Sequence, residues 1–159
     1  MDAALEGDEA LAEALSVEVV PGWATFTGAL QATRDALAAD PDSARWGTRL
    51  FVFGEPPELV GWGGFKGPPR GGVVELGYEI AESRWGQGLA TDATRAMVAE
   101  AFEAPEVSAV IAHTLPERNA SNRVLEKVGF HLDGEAAEDD ERVWRFRMSR
   151  PVDAAPIRA

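Results

Sequence analysis

The run from Val73 to Phe102, VVELGYEIAESRWGQGLATDATRAMVAEAF, constrains this fold more than any other stretch of the chain. It opens with Val73, Val74, Leu76, Tyr78 and Ile80, apolar and mostly β-branched or aromatic, which predicts a strand. Ala81-Glu82-Ser83 interrupts the pattern, and Arg84-Trp85-Gly86-Gln87-Gly88 reads as a glycine-rich turn. From Leu89 the period becomes helical, with Ala90, Thr94, Met97, Val98 and Ala101 on one face. A strand, a Gly-x-Gly turn and a helix N-terminus in that order form a device for holding phosphate. Glycines admit an anion close to the backbone, the free N–H groups of the first turn point outward, and the helix dipole favours negative charge there.

Two other phosphate motifs fit poorly. A P-loop requires a Lys-Ser/Thr pair after its second glycine, where Leu89-Ala90 stands. A dinucleotide fingerprint requires a third glycine three residues on, at Thr91, and an unbroken βαβ unit near the start of a domain. A second stretch, His113-Thr-Leu-Pro-Glu-Arg-Asn-Ala-Ser-Asn-Arg-Val-Leu-Glu-Lys-Val-Gly-Phe130, ends a strand, starts a short helix and stops it at Gly129-Phe130. Together the two stretches resemble the Gcn5-related N-acetyltransferase (GNAT) superfamily. Within it they look most like the branch of the ribosomal-protein N-terminal acetyltransferases. EIAESRWGQGLAT resembles that family's acetyl-CoA pyrophosphate loop, and NASNRVLEKVGF its later cofactor-binding helix. The resemblance covers Trp46 to Met148.

Composition agrees with a chain of this kind. With 159 residues, 45% hydrophobic and 26% charged, one domain with a real core is expected. No apolar run reaches the length of a membrane span, and the acidic start is the wrong n-region for a secretory signal. A cytoplasmic protein follows as the expectation. The chain has no cysteine, which excludes disulfides, thiol nucleophiles and thiolate metal sites. A net charge of −12 argues against nucleic acid as partner. It suits a cationic acceptor, although acidic surfaces also serve solubility alone. Acid collects at Asp2–Glu13 and Asp133–Glu141, whereas Arg84, Arg95, Arg118, Arg123 and Lys127 surround the two motifs.

Residues 1–45 read as a helical region that, by the resemblance, shapes the acceptor pocket. One helix is capped near Gly7-Asp8 and runs through Leu15, and a second runs from Thr25 or Thr27 to about Ala39. Family members usually open with a strand, and only Val17–Val20 echoes one. Residues 46–148 read as the acetyl-CoA-binding core, with strands at Arg49–Phe53, Glu58–Phe65 and Val107–His113. A last strand pair there flanks an acidic hairpin loop at Asp133–Glu141. Gly61, Gly63 and Gly64 imply close backbone or ligand approach. Residues 149–159 read as a flexible tail. The fold expected is an α/β (α+β) single domain: a mixed, mostly antiparallel sheet flanked by helices, with splayed central strands.

Direct transfer from a thioester to an amine requires a held cofactor, a base for the ammonium, and a donor for the departing thiolate. The resemblance implies acetyl-CoA as cosubstrate, no metal, and a primary amine as acceptor. That amine would be a protein or peptide N-terminus, or alternatively a small molecule such as a polyamine, aminoglycoside or amino acid. A non-catalytic acyl-CoA-binding module is the reading of another class, and a homodimer fits the resemblance. Backbone groups of Tyr78, Glu79 and Ile80 would bind the pantetheine arm, and the amides of Arg84, Trp85, Gly86, Gln87, Gly88, Leu89 and Ala90 the pyrophosphate. Asn119, Asn122, Arg123 and Lys127 would add cofactor contacts. Glu75 is the first candidate base, with a solvent-facing strand residue as the equal reading, and Glu79 is second. The tyrosine many family members carry on the later helix is replaced by Leu125. Ser121 therefore reads as a helix cap first and as the thiolate's proton donor second. Arg118 takes the position of the family's asparagine, and Asn119, one place late, is the catalytic candidate to serve in its stead after a small loop shift. Trp62, Trp85 and Trp144 read as core packing first and pocket walls second, and His113 and His131 lie in no metal-ligand spacing.

Overall fold

A computed structural model describes residues 1–152. In chain order the elements are α1 (Asp2–Glu6), α2 (Asp8–Leu15), β1 (Glu18–Val19), α3 (Gly28–Ala39) and a 3₁₀ segment (Pro41–Trp46). There follow β2 (Thr48–Phe53), β3 (Glu58–Phe65), β4 (Val73–Ile80), a 3₁₀ turn (Glu82–Arg84) and α4 (Leu89–Glu103). The chain continues with β5 (Ala109–Thr114), α5 (Ala120–Val128), β6 (His131–Glu138) and β7 (Glu141–Ser149). The strands form one seven-stranded mixed sheet in the order β1-β3-β4-β5-β7-β6, with β2 also on β3.

Local chemistry places the breaks. Asp40 ends α3, and its carboxylate accepts the Asp42 N–H at 3.0 Å to start the 3₁₀ segment at Pro41. Gly129 closes α5 in the left-handed region at φ 116°. Its N–H and that of Phe130 return to the Leu125 carbonyl, which folds Phe130 into the core at 1% exposure. The β3 glycines are required by contact rather than by turn geometry. A Cβ at Gly61 would stand 2.1 Å from the Glu79 carbonyl oxygen, and one at Gly64 2.2 Å from that of Gly47.

Two cores lie on opposite faces of the sheet. On one, α4 and α5 bury Val74, Leu76, Met97, Val98, Val110, Leu125 and Phe146. On the other, the N-terminal helices bury Ala4, Leu11, Trp23, Leu30 and Leu59. Each fully buried leucine contributes about 1.5–3 kcal/mol of transfer energy. The N-terminal region is thereby part of the same folded unit as the core.

The central feature is a parting of strands. β4 and β5 run parallel and pair at Val73–Ala109, Val74–Val110 and Glu75–Ile111, and nowhere further among the described residues. β4 continues to Ile80 on β3, and β5 continues to Thr114 on β7. The far half of β4 thus presents one unpaired edge.

Several expectations need correction. The short α1 and the 3₁₀ segment are additional, and the Val17–Val20 echo is a two-residue strand, β1, parallel to β3. The acidic Asp133–Glu141 stretch is strand as far as Glu138. Only Asp139 and Asp140, at φ 49° and 67°, form the turn. Acidic side chains on an edge strand face water and leave its backbone free to pair. The tail begins later than residue 149. β7 includes Ser149, and the Arg150 guanidinium donates to the carbonyls of Phe102, Ala104 and Val107 beyond the end of α4. The expected tail over 153–159 lies outside the described residues.

Candidate active site

A groove of about 400 Å³ runs along the free end of β4 to the N-terminus of α4 and back beneath α5. Tyr78, Glu79 and Ile80 form its strand wall, and Arg84, Trp85, Gly86, Gly88, Leu89, Ala90 and Thr91 its turn. Ala120, Ser121, Arg123, Val124 and Lys127 line the α5 side. Gly86 and Gly88 take φ 76° and 79°, and nothing among the described residues stands within 4 Å of a Cβ built on either. The glycines therefore serve backbone shape, and the space beside them is open. Asp92 N–H is the first to return along α4, to the Gly88 carbonyl, which leaves the amides of Gly86 to Thr91 to face an anion; the Arg84 and Trp85 amides expected to share that role instead donate to the carbonyls of Ala81 and Glu82. Arg123 and Lys127 are exposed on the groove's α5 side, where cations suit a polyphosphate.

Tyr78 spans the groove. Its hydroxyl donates to the Ser121 carbonyl at 3.5 Å, and burial pushes its pKa up to about 12. The phenol therefore stays protonated at every physiological pH. Ser121 lines the groove while Asn119, one place before α5, performs the capping by accepting the Asn122 N–H at 3.1 Å. The cap expected of Ser121 is thus Asn119's role.

The other face of β4 carries Glu75, Gly77 and Glu79. Glu79 accepts the Thr25 N–H at 2.9 Å on both oxygens and the Trp62 indole N–H at 3.0 Å. It pins the loop before α3 to the strand wall of the groove. Glu75 pairs with Lys66 at 2.6 Å and meets His113 Nδ1 at 2.9 Å, and Lys66 also pairs with Glu138. Glu75 does not line the groove. Ligand-type atoms of Glu75, His113 and Glu138 lie within 4.8 Å of one another, a cluster that sequence spacing conceals. The Lys66 ammonium already serves both of its carboxylates.

Of the expected cofactor residues, Gln87 and Asn122 lie off the groove, and the side chains of Arg84 and Trp85 have partners of their own. The Arg84 guanidinium is held by Glu58 at 2.7 and 3.0 Å, which ties the turn to the start of β3. The Asn122 side chain is 1% exposed and donates to the Glu117 carbonyl at 2.7 Å, so it braces the loop inside the fold instead of meeting cofactor. Gln87 is exposed and lies off the groove wall. Trp85 is 60% exposed, its indole donating to the Ile80 carbonyl at 2.8 Å, and is a groove wall and not core. Trp62 and Trp144 pack against the two cores as expected. Thr91, Ala120 and Val124 are groove residues that the sequence reading missed. Ala120, Arg123, Val124 and Lys127 share one helical face at i, i+3, i+4 and i+7, a period that carried the signal.

Comparison with known proteins decides the family. A family model described as an acetyltransferase (GNAT) domain matches residues 3–131. The chain belongs to the GNAT family. It is an N-acetyltransferase. The match starts at residue 3, so the GNAT domain includes the N-terminal helices and not only the stretch from Trp46. An uncharacterized N-acetyltransferase, YjdG, from Bacillus subtilis (strain 168) is 27% identical over 141 residues, covering 87% of this chain and 84% of the relative. A second, YoaA, from the same organism is 32% identical over 100 residues, covering 62% and 55%. Among solved structures, the ribosomal-protein-S5-alanine acetyltransferase from Vibrio fischeri superposes with a TM-score of 0.61 at 19% identity, over 76% and 67% of the two chains. The aminoglycoside acetyltransferase AAC(6')-Ib in complex with coenzyme A and kanamycin does so at 0.56 and 24%, over 67% and 69%. These two likenesses are likenesses of fold. No helix among the described residues is long and apolar enough to cross a membrane.

Proposed function

We propose that this GNAT enzyme acetylates the primary amine of a protein or peptide N-terminus by direct attack on acetyl-CoA. The observation that carries the mechanism is the unpaired edge of β4 running straight to the glycine turn. An extended pantetheine arm laid on that edge satisfies the open backbone groups as an added strand would, while its pyrophosphate meets the α4 N-terminus. The thioester then lies where β4 and β5 part, reachable from both faces of the sheet. Tyr78 and Ser121 stand on the cofactor face, and either hydroxyl can donate to the departing thiolate. Tyr78 takes from β4 the place of the tyrosine that α5 lacks. Glu75 and Glu79 stand on the acceptor face, where two carboxylates attract an ammonium group.

The peptide acceptor draws on the fold shared with the ribosomal-protein-S5-alanine acetyltransferase and on the exposed loop at Thr25 and Phe26, which Glu79 ties to the strand wall of the groove. A small polycationic amine is the second reading, supported by the acidic surface and by the fold shared with AAC(6')-Ib. Thiol release from acetyl-CoA against short peptides with different N-termini, polyamines, aminoglycosides and amino acids separates the two. Turnover confined to peptides supports the first reading, and turnover confined to aminoglycosides or polyamines replaces it with the second.

A further inference from the structure

A buried imidazole nitrogen without a partner calls for an explanation, because nearly all buried polar atoms are paired. Among the described residues, His113 Nε2 is such an atom. The opposite ring nitrogen, Nδ1, lies 2.9 Å from Glu75 Oε1, and that carboxylate also holds the Lys66 ammonium at 2.6 Å. A carboxylate paired with an ammonium is an acceptor, so Nδ1 must carry the proton of the shared hydrogen bond. The neutral ring is then fixed with an unshared electron pair on Nε2. Charged groups around the ring come from four elements. Glu75 lies on β4, Lys66 follows β3, Glu138 reaches in from β6 through Lys66, and Arg145 is His113's register partner on β7, where Asp133 engages it.

The position of the ring matters as much as its tautomer. Glu75 and Ile111 are the last β4–β5 pair, and His113 lies two residues beyond on β5, as Gly77 does on β4. Gly77 is half-buried, has no left-handed φ, and nothing among the described residues stands within 4 Å of a Cβ built on it. Neither turn geometry nor packing therefore demands glycine there. What its missing side chain leaves is an opening on the acceptor face between Glu75 and Glu79.

We propose that His113, oriented by Glu75 and Lys66, is the proton acceptor for the amine, and that the opening over Gly77 receives that amine. This rests on the acetyltransferase reading above. An ammonium N–H gives its proton to His113 Nε2, and the Glu75 carboxylate across Nδ1–H stabilises the imidazolium formed. The freed nitrogen pair adds to the thioester carbonyl carbon. The C–S bond then breaks with its electron pair going to sulfur, and the thiolate takes a second proton from the former amine nitrogen or through a hydroxyl of the groove. The imidazolium releases its proton to water.

The chain has two histidines, so long-range ¹H–¹⁵N spectra of the imidazoles are readily assigned. The expected spectrum shows His113 protonated on Nδ1 and bare on Nε2. A proton on Nε2 in the neutral ring overturns the proposal. For any amine the enzyme acetylates, His113→Gln is expected to lower kcat about 100-fold or more and to abolish the acid limb of the pH–rate profile. Calorimetric affinity for CoA and Tm should stay near wild type. Unchanged turnover with the same limb also overturns the proposal. Gly77→Ala is expected to raise the amine KM at least tenfold with CoA affinity intact, and an unchanged KM removes the opening as the amine's site. Wild-type protein that fails to bind acetyl-CoA would instead sink the underlying acetyltransferase mechanism, whatever the state of His113.

Discussion

Glu75 and Ile111 face each other at the last rung of the β4–β5 ladder, and beyond that rung the two strands part. β4 then has a free edge between two chemically different faces. Tyr78 turns toward α5 and the groove, whereas on the opposite face Glu75 meets Lys66 and His113 and Glu79 holds the loop before α3. Period-two alternation thus sorts the leaving-group chemistry from the amine chemistry along a single strand.

Gly88 should be indispensable for cofactor and dispensable for folding. Its φ of 79° costs a β-branched residue about 1–2 kcal/mol, while the open space around it excludes a clash. Gly88→Val is expected to reduce CoA affinity at least tenfold in calorimetry with a cooperative thermal transition retained. Wild-type affinity in a folded variant would remove the turn as the pyrophosphate site.

Tyr78 predicts a pH dependence whose sign follows from burial. Its pKa rises from 10.0 in the unfolded chain to about 12 in the fold, because burial disfavours the phenolate. The neutral form binds its proton more tightly when folded. This contribution is therefore complete below pH 10 and is lost as pH climbs from 10 through about 12. It amounts to about 2–3 kcal/mol at about 1.4 kcal/mol per pH unit. Tyr78→Phe cannot titrate, so urea unfolding at pH 9 and pH 11 should show wild type losing stability that the variant keeps. As the chain's sole tyrosine, Tyr78 leaves no ambiguity of assignment. The same variant should lower kcat while leaving CoA affinity unchanged.

Glu79 should govern the acceptor rather than the cofactor. Its carboxylate holds Thr25 N–H and the Trp62 indole together, and Gln retains shape but not charge. Glu79→Gln is expected to raise the amine KM about tenfold, equivalent to about 1.4 kcal/mol, with CoA binding unaffected. A variant that loses CoA affinity and keeps its amine KM would reverse this assignment.

Phe130 should be a stability residue. It is buried at 1% exposure and closes the C-terminal cap of α5. Phe130→Ala is expected to cost about 3–5 kcal/mol and to lower Tm by roughly 10 °C, as read by calorimetry.

What could be read from the chain was what is local in it. The apolar alternation of Val74, Leu76 and Tyr78, the glycines at 86 and 88 and the stop at Gly129 each act within a few residues, and each stands where the pattern puts it. What escaped depends on distance along the chain. Thr25 meets Glu79 across 54 residues and Lys66 meets Glu138 across 72, and no periodicity announces such encounters. Asn122 is turned into the fold and Ser121 to the groove because one helical step of about 100° decides which side chain goes where. The strand in the acidic hairpin was hidden by its charges, which an edge position makes harmless.

Trp85 stands largely in water beside the glycine turn, on the wall that a bound pyrophosphate arm would cover. An indole in that position emits at long wavelength when wet and shifts to the blue when its ring is sheltered. The enzyme therefore carries an optical gauge of cofactor loading, so that occupancy of the groove can be titrated by fluorescence on unlabelled protein before any acceptor has been found.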